Sequence, residues 1–425
     1  MAKLPLEGIR VIDGGDIWAT PYGCTLLGDM GAEVIKIENT RRMSNRGQSL
    51  RPPPDTPGYP NKDPGERPWE RSATFNMVNR NQKGVTIDIT QPEGKELYKR
   101  LVKVSDVLVE NFAFGVIERL GLGYNVLKEV NPQLIMISMP LFGNSGPYAG
   151  YRGMGSTADP LMGHTSIRCY EDNDPGLIGQ TVHSDAISAC LVVFLSLAAL
   201  HYRRRTGKGQ WIDFGQAEGF LPALGESIMD YTMNGRIAES HGNRHSSWAP
   251  HNAYQCQGDD RWVTITCTND EEWWALVEIM GRPSWAFEER FSDSISRWKN
   301  QGELDKLITS WTKERDHYEV FHMLQAAGVP AGPVLDIKEV YEDPHIQQMG
   351  FFEEATKKWS GTYLYPGMQW KLTKTPNHIR TTAPCLGEHN DYVFGEVMGL
   401  SRKELADLEE KNVIGTVYQE GADQT

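Results

Sequence analysis

The sequence predicts an α/β protein with a mostly parallel sheet and a second, smaller domain. In the first 140 residues, short runs of β-branched and aliphatic residues alternate with segments of helical periodicity. Strands separated by helices imply right-handed crossovers, which place neighbouring strands parallel. The chain has 425 residues, and a single hydrophobic core stops growing at roughly 250–300 residues. We therefore expect two domains.

The elements of this first part follow from local signals. Thr20-Pro21 is predicted to begin a helix, with the threonine as N-cap and the proline as first helical residue. Thr90-x-x-Glu93 has the form of a capping box and is predicted to open a second helix, whose Leu97 and Leu101 share a face. The predicted strands are Arg10–Asp13, Glu33–Glu38, Gly84–Ile89, Val107–Glu110 and Leu134–Ser138.

A proline-rich segment lies between Arg46 and Trp69. It is excluded from the interior of a strand or helix because proline lacks the backbone N–H. Loops of this length are typically lids, partner-binding arms or loosely ordered connectors, and the sequence leaves these alternatives open. No Gly-x-Gly-x-x-Gly follows the first strand, so the usual dinucleotide site has no support.

A second compositional unit begins after Gly242. Its predicted strand is Trp262–Thr266, and Asn269 is predicted to cap the helix that follows. Further helices are predicted at Glu303–Trp311 and Tyr318–Ala326. Near the end of the chain, Ser401-x-x-Glu404 is predicted to be a capping box that opens the last helix.

Composition narrows the class of partner and the compartment. The formal net charge is −13, which argues against nucleic acid and anionic membranes as partners. The longest apolar run, Ala189–Leu200, is interrupted by a serine and is expected to be too short for a bilayer. The six cysteines are widely spaced and suit a reducing compartment, so we expect a cytoplasmic protein. His241 and His245 are four apart, but glycine and asparagine lie between them, and no metal site is predicted.

The most informative stretch runs from Thr181 to Glu218. Asp185 comes just before a long apolar segment, and Thr206-Gly-Lys-Gly-Gln210 follows that segment. A carboxylate at a helix N-terminus lies among unpaired N–H groups at the positive end of the helix dipole. We expect Asp185 to be ionised there, at the start of a buried helix. An aspartate in this position is usually a structural cap, but an ionised and fixed carboxylate is also a candidate nucleophile for acyl chemistry.

The order and spacing of several short motifs make this chain resemble the family III CoA-transferases, which include formyl-CoA transferase and carnitine-type CoA-transferases. The resemblance covers nearly the whole chain. The motifs that carry it are Leu6–Asp13, Leu27–Glu38, Asn79–Lys83, Asp106–Phe112, Asn131-Pro132, Thr206–Gln210, Gly328–Pro333 and Leu386–His389.

The resemblance implies a Rossmann-like large domain assembled from the N- and C-terminal parts of the chain, and a smaller α+β domain between them. On this basis we predict the first part of the large domain at residues 1–222, a linker at 223–244 and the small domain at 245–330. Residues 331–425 would form the return linker and the remainder of the large domain. The family also implies an interlocked-ring dimer, formed either by two copies of this chain or with a paralogous subunit as a heterodimer or heterotetramer.

The resemblance also implies site residues. The catalytic aspartate of the family falls on Asp185, and the segment against the pantetheine and the reacting centre falls on Ile17, Trp18 and Ala19. Trp18 replaces a glutamine often found in the family, which favours a bulkier or more apolar acceptor pocket. Three further positions match residues that line the nucleotide part of CoA, namely Asn111, Phe112 and Arg119.

The implied function is transfer of CoA from an acyl-CoA, with succinyl-CoA as donor by family habit, to a free carboxylic acid. The intermediate would be an aspartyl anhydride and then an aspartyl thioester, with CoA thioesters as substrates and no permanently bound cofactor. A likeness to benzylsuccinate CoA-transferase subunits favours an aromatic or alkyl-substituted succinate as acceptor. Two alternatives stay open: an acyl-CoA racemase or isomerase, and a non-catalytic subunit of a heteromeric transferase. Against the racemase, Met154 stands where those enzymes have a histidine that exchanges a proton.

Overall fold

The structure is a computed structural model that describes residues 3–43, 46–47, 49–170 and 182–422. These residues divide into two compact units. The first unit comprises residues up to 162, residues 182–228 and residues from 350 onward, and the second comprises 163–170 and 229–349. The first unit therefore joins the N- and C-terminal parts of the chain, as the predicted fold class requires. The domain and linker boundaries that the sequence suggested remain predictions.

The strands of the described residues are β1 (Arg10–Asp13), β2 (Glu33–Glu38), β3 (Gln82–Thr86), β4 (Val107–Glu110), β5 (Ile135–Ser138), β6 (Gln210–Asp213), β7 (His251–Gln255), β8 (Trp262–Thr266), β9 (Ala331–Val334), β10 (Phe352–Lys357) and β11 (Gly361–Pro366). The α-helices are α1 (Ala19–Asp29), α2 (Ala73–Val78), α3 (Pro92–Lys103), α4 (Val116–Arg119), α5 (Tyr124–Val130), α6 (Gly155–Leu161), α7 (His164–Ile167), α8 (His183–Thr206), α9 (Gln216–Phe220), α10 (Gly225–Asn234), α11 (Asp270–Ile279), α12 (Ser294–Lys299), α13 (Gln301–Thr312), α14 (His317–Ala326), α15 (Ile337–Glu342), α16 (Pro344–Gln348) and α17 (Arg402–Glu410).

The sheet of the first unit confirms the predicted parallel architecture. It has six strands in the order β3-β2-β1-β4-β5-β6, and all five pairings are parallel. This is the strand order of doubly wound, Rossmann-type sheets. Every residue of β4 and β5 is buried, because helices cover both faces of a parallel sheet. Such strands read as continuous apolar runs, which is why the sequence located them well.

The two largest apolar clusters of the first unit lie on either face of its sheet. One contains residues of α3, α5 and α17 together with Ile12, Ile35 and Met136 of the sheet. The other contains residues of α1 and α8 together with Val11, Val34 and other strand residues. Neighbouring residues of β1 and β2 thus point into different clusters, as the alternation of side chains along a strand requires. Helices α1 and α8 therefore cover the same face of the sheet.

Two predicted helix starts in this unit are wrong. Helix α1 begins at Ala19 with Trp18 as N-cap, so Thr20 is inside the helix. Helix α3 begins at Pro92 with Gln91 as N-cap and without a side-chain cap. Thr90 is not a capping residue because its hydroxyl donates to Asp88 Oδ1 at 2.6 Å. The Asp88 carboxylate thereby closes a turn that competes with the capping box.

The turn at Asp88 also accounts for a shifted strand. The sequence predicted Gly84–Ile89, whereas β3 spans Gln82–Thr86. Asp88 Oδ1 accepts the backbone N–H of Thr90 at 3.1 Å, and the N–H of Asp88 donates to Val413 O at 2.8 Å. The chain has therefore left the regular strand where the sequence predicted its last residues.

Helix α8 is less buried than the sequence suggested. Its inner face, including Val192 and Val193, lies in the core, but Phe194 is 65% exposed and Leu197 is 40% exposed. With 24 residues, α8 is also long and apolar enough, by length and composition alone, to cross a bilayer, although the apolar run itself had been expected to be too short. Core helices pass the same test, and the inner face of α8 packs on the sheet, so this property is weak evidence for a membrane span.

The second unit has a three-stranded sheet in the order β7-β8-β9, with both pairings antiparallel. Its apolar core includes Tyr254, Trp273 and Phe291. The predicted cap is confirmed, since Asn269 Oδ1 accepts the N–H of Glu272 at 2.9 Å. The helices predicted around residues 303–311 and 318–326 correspond to α13 and α14, and this unit is α+β as expected.

Candidate active site

The N-termini of α1 and α8 lie at the same edge of the sheet. Helix α1 connects β1 to β2 and α8 leads into β6, so both run antiparallel to the strands and begin at the carboxyl ends of the strands. The two helices approach closely at Gly23, where an added Cβ would lie 2.9 Å from Val192 Cβ and 3.0 Å from Ala189 O. Trp18 lies five residues before Gly23. Five residues before Ala189 and Val192, the chain of α8 is at its N-terminal end, around Asp185. Trp18 and Asp185 are therefore at the same level, at the edge where α/β proteins bind ligands.

Asp185 lies in the first turn of α8, as the sequence predicted. Its Oδ1 accepts a hydrogen bond from Gln216 Nε2 at 2.9 Å. Its Oδ2 faces Gly155, the first residue of α6, so closely that an added Cβ at Gly155 would lie 1.8 Å from it. The two carboxylate oxygens therefore have different surroundings: an amide donor holds one, and the other lies in space that a side chain at residue 155 would fill.

The pKa of Asp185 is raised above its ordinary value, chiefly by burial. The hydrogen bond from Gln216 lowers this pKa, and the negative charge of Asp159 raises it. The sequence had led us to expect that the helix N-terminus would favour the ionised form. Burial outweighs that effect, because removing a carboxylate from water disfavours its charged form. A more basic carboxylate is also a stronger nucleophile once it is ionised.

Sequence reasoning missed Gln216 and the role of Gly155. Gln216 is the first residue of α9, shortly after β6 ends at Asp213, and its side chain is buried. A polar residue just beyond the carboxyl end of a parallel strand is a position from which it could have been proposed. Met154, which the resemblance predicted at the racemase histidine position, precedes Gly155 and is 59% exposed. His183 Nδ1 lies 3.8 Å from Asp159 Oδ2, which gives this histidine an acidic neighbour.

The loop after β1 holds the segment predicted to contact pantetheine. Asn111, which follows β4, fixes this loop: its Oδ1 accepts the N–H of Asp16 at 2.8 Å, and its Nδ2 donates to Asp16 O at 3.0 Å. Ile17 has a positive φ of 68° and a half-exposed side chain. The ring of Trp18 lies 4.9 Å from that of Tyr22, whereas Ala19 is buried in the core.

The remaining predicted residues lie beyond the carboxyl end of β4, which is next to β1 in the sheet. Phe112 packs against the core, and its N–H donates to Glu110 Oε2 at 2.8 Å. Arg119 is the last residue of α4, and its Nη1 donates to Phe114 O at 3.4 Å. The fold thus brings the residues predicted around CoA to one edge of the sheet. Two of them have structural roles there, since Asn111 holds the loop after β1 and Ala19 packs into the core.

The sequence matches the family described as CoA-transferase family III over residues 6–390. This protein belongs to that family and is a CoA-transferase. The CoA-transferases act on CoA thioesters.

Sequence relatives span nearly the whole chain. The succinyl-CoA–D-citramalate CoA-transferase of Chloroflexus aurantiacus is 35% identical over 96% of this chain and 98% of its own length. The beta subunit of the succinyl-CoA–L-malate CoA-transferase of the same organism is 32% identical over 97% of this chain and 98% of its own length. Among solved structures, a CAIB/BAIF family protein from Brucella suis superposes with a TM-score of 0.81 at 30% identity, covering 93% of this chain and 100% of that one.

Proposed function

We propose that this protein transfers CoA from succinyl-CoA to a free dicarboxylic acid that bears an alkyl or aromatic substituent, through a covalent intermediate on Asp185. The relatives support the donor and the acceptor class. The two Chloroflexus aurantiacus transferases are named for succinyl-CoA with D-citramalate or L-malate. Other relatives are named for glutarate or oxalate. All four acceptors are dicarboxylic acids, and D-citramalate carries a methyl branch. Benzylsuccinate is a larger member of the same chemical class.

The observation that carries this proposal is the environment of Asp185. Its carboxylate lies in the first turn of α8, at the carboxyl edge of the sheet, and Gln216 holds one of its oxygens. The other oxygen borders a glycine, which leaves the least possible bulk beside it. A carboxylate that only capped a helix would bind backbone N–H groups through its side chain, whereas Val182 is the N-cap of α8 and makes no side-chain cap.

The reaction consists of four nucleophilic substitutions that balance without a cofactor. The Asp185 carboxylate attacks the thioester carbonyl of succinyl-CoA, the C–S bond breaks, and CoA leaves as thiolate from a mixed anhydride. The thiolate then attacks the Asp185 carbonyl and releases succinate, which leaves a CoA thioester on Asp185. The acceptor carboxylate attacks the carbonyl of that thioester, the C–S bond breaks, and CoA leaves as thiolate from a second anhydride. The thiolate attacks the acceptor carbonyl and frees Asp185.

The two oxygens of Asp185 take different roles in this scheme. Oδ2, beside Gly155, is the attacking oxygen. Oδ1 becomes the carbonyl oxygen of each acyl intermediate, and the Gln216 amide donates to it as negative charge develops there. Unpaired N–H groups in the first turn of α8 add positive potential. In this proposal CoA lies along the loop after β1 and the segment after β4, with Ile17, Trp18, Phe112 and Arg119 as its side-chain contacts. Asn111 fixes the loop, and Ala19 packs beneath it in the core.

The two alternatives make different predictions. A racemase would exchange the α-hydrogen of an acyl-CoA with solvent in the absence of an acceptor acid, but Met154 has no proton to exchange at that position. A requirement for a second polypeptide is favoured by a specific observation, since the L-malate relatives are alpha and beta subunits. The chain purified alone would then show no transfer until its paralogue is added.

Covalent trapping tests the proposal. The protein is incubated with succinyl-CoA, treated with hydroxylamine and digested, and the peptide that contains Asp185 is analysed by mass spectrometry. We expect a hydroxamate on Asp185 in the wild type. Asp185→Asn should keep the fold, because asparagine has nearly the same shape and its Oδ1 can still accept the Gln216 hydrogen bond, and should lose both the adduct and transfer. Normal transfer by Asp185→Asn would refute the proposal.

A further inference from the structure

A cavity of about 550 Å³ lies in the first unit beside Trp18. Its walls come from segments that are distant in sequence: the residue before α1, the proline-rich segment, the region of α2 and the hairpin of β10 and β11. Aromatic rings and one methionine dominate these walls, with a single cation among them. The lining side chains include Trp18, Tyr59, Arg71, Met77, Tyr363 and Tyr365.

The proline-rich segment is an ordered wall of this cavity. Gly58 O accepts the N–H of Ala73 at 2.8 Å, which ties the segment to the start of α2. Arg46, at the beginning of the segment, is buried between Glu38 and Glu70, at 2.6 and 2.9 Å, and lies over the ring of Phe75. Such a buried ion-pair network is costly to break. The segment is therefore held at both sides of the stretch that lines the cavity.

Arg71 provides the positive charge of the cavity. Its Nη1 donates to Trp359 O at 2.6 Å, and its Nε and Nη2 donate to Asp63 O at 3.2 and 3.0 Å. All three bonds go to main-chain carbonyls, and among the residues that the structure describes no carboxylate oxygen lies within 4.0 Å of this guanidinium. An arginine has five N–H donors. Arg71 is thus held in place while its charge and part of its donor capacity remain available to an anion.

Two further polar side chains of the wall, Asn76 and Ser360, bind each other. Asn76 Nδ2 donates to Ser360 Oγ at 3.1 Å, and Asn76 Oδ1 accepts from Lys357 Nζ at 2.7 Å. The Ser360 hydroxyl in turn donates to Glu70 O at 3.1 Å. Arg71 is the cation of this wall and is therefore placed to bind a ligand carboxylate, and the aromatic rings are placed to bind an apolar group.

We infer that this cavity binds the acceptor acid, with the apolar substituent among Trp18, Tyr59, Tyr363 and Tyr365 and the non-reacting carboxylate at Arg71. The inference rests on the proposed function and specifies where that acceptor is recognised. Trp18 relates the cavity to the reacting centre, because it lines the cavity and directly precedes α1, whose N-terminus lies at the same edge of the sheet as the first turn of α8. A cavity of this size is within the range that holds small organic ligands, roughly 300–1,000 Å³.

The test measures binding of free acids by titration calorimetry, without CoA. The probes are 2-benzylsuccinate, 2-methylsuccinate and 4-phenylbutyrate, which separate the contribution of the ring from that of the second carboxylate. We expect the wild type to bind 2-benzylsuccinate at least tenfold more tightly than either of the other two. In Arg71→Met, affinity for 2-benzylsuccinate should fall at least tenfold and approach that for 4-phenylbutyrate, while Arg71→Lys should recover part of the loss.

Arg67→Met is the matched control. Arg67 lies four residues before Arg71, and its guanidinium lies over the ring of Trp359. It does not line the cavity, so its replacement should leave all three affinities unchanged. A second variant, Met77→Trp, fills the cavity and should weaken 2-benzylsuccinate binding more than 2-methylsuccinate binding. It keeps the inference testable if Arg71→Met does not fold.

Equal affinity of wild type and Arg71→Met for 2-benzylsuccinate would overturn the inference, as would the absence of saturable binding of any probe to the wild type. These outcomes are separate from the trapping experiment. An adduct on Asp185 together with unchanged acid binding in Arg71→Met would leave the proposed function standing and remove only the acceptor site. Acid binding at Arg71 without an adduct would show a site for acids in this cavity and refute the covalent route through Asp185.

Discussion

Replacing Gly155 by alanine should displace Asp185 Oδ2, the oxygen that we propose as nucleophile, without unfolding the protein. A Cβ at residue 155 would lie 1.8 Å from Asp185 Oδ2, 2.9 Å from its Cγ and 3.2 Å from Ser184 Oγ. Carbon and oxygen in contact are separated by about 3.2 Å, so the carboxylate has to move by roughly 1.4 Å. A displacement of about 1 Å at a reacting centre costs on the order of 100-fold in rate.

The same geometry explains why stability should survive this substitution. The closest atoms belong to the end of the Asp185 side chain, which can rotate away, and Gly155 has no positive φ that would strain an alanine. In a helix, alanine is favoured over glycine by about 1 kcal/mol. We therefore expect kcat to fall at least 100-fold while the melting temperature stays within a few degrees of the wild-type value.

The assay is steady-state CoA transfer from succinyl-CoA, with thermal unfolding measured on the same samples. Gly150→Ala is the matched control, because an added Cβ at Gly150 meets nothing within 4 Å, and its kcat should be unchanged. If Gly155→Ala retained kcat within threefold of the wild type, Oδ2 could not be the attacking oxygen in the observed position. Loss of activity with an equal loss in Gly150→Ala would show that the segment, and not the contact with Asp185, is responsible.

Two further predictions concern protonation. Gln216→Leu removes a hydrogen bond that lowers the pKa of Asp185, so this pKa should rise and the acid limb of kcat/KM should move to higher pH. We also expect kcat to fall about tenfold or more, since hydrogen bonds to charged groups contribute about 1.5–3 kcal/mol. An unmoved acid limb would contradict this role for Gln216. Burial raises the pKa of Glu110 to about 7 from an ordinary 4.5, so the folded state binds this proton more tightly than the unfolded state. The resulting stability is complete below pH 4.5 and is lost as pH rises through 7. Glu110→Gln should therefore stabilise the protein more at pH 8 than at pH 5, by up to about 3 kcal/mol in urea unfolding. An equal effect at the two pH values would disprove the raised pKa of Glu110.

Most of the parallel sheet could be predicted because its strands are buried on both faces. Val107–Glu110 is a run of the kind that such strands require, and it was located to the residue. The start of α3 could not be located in this way. Thr90 and Glu93 have the spacing of a capping box, but Asp88 is two residues away from Thr90 and binds its hydroxyl. Local competition of this kind is decided by geometry that the spacing does not contain.

The candidate site divides in the same way. Asp185 was identified because a family pattern surrounds it in the sequence. Gln216 and Gly155 were not, because they lie 31 and 30 residues from Asp185 in opposite directions, and no local pattern marks either of them. The cavity was even less predictable from the sequence, because Arg71 and Tyr363 belong to segments almost 300 residues apart. That the proline-rich segment forms part of the cavity wall is seen only from its packing beside α2.

The sequence by itself determined the class of fold, the family and the aspartate on which the chemistry is proposed to occur, because burial periodicity and short motifs are properties of neighbouring residues. Only the tertiary structure decided which oxygen of Asp185 accepts a hydrogen bond and which borders Gly155, that burial raises the pKa of Asp185, and which charged and aromatic side chains line one cavity. These properties depend on distances between side chains remote in sequence, and such distances exist only once the sheet and its helices have packed.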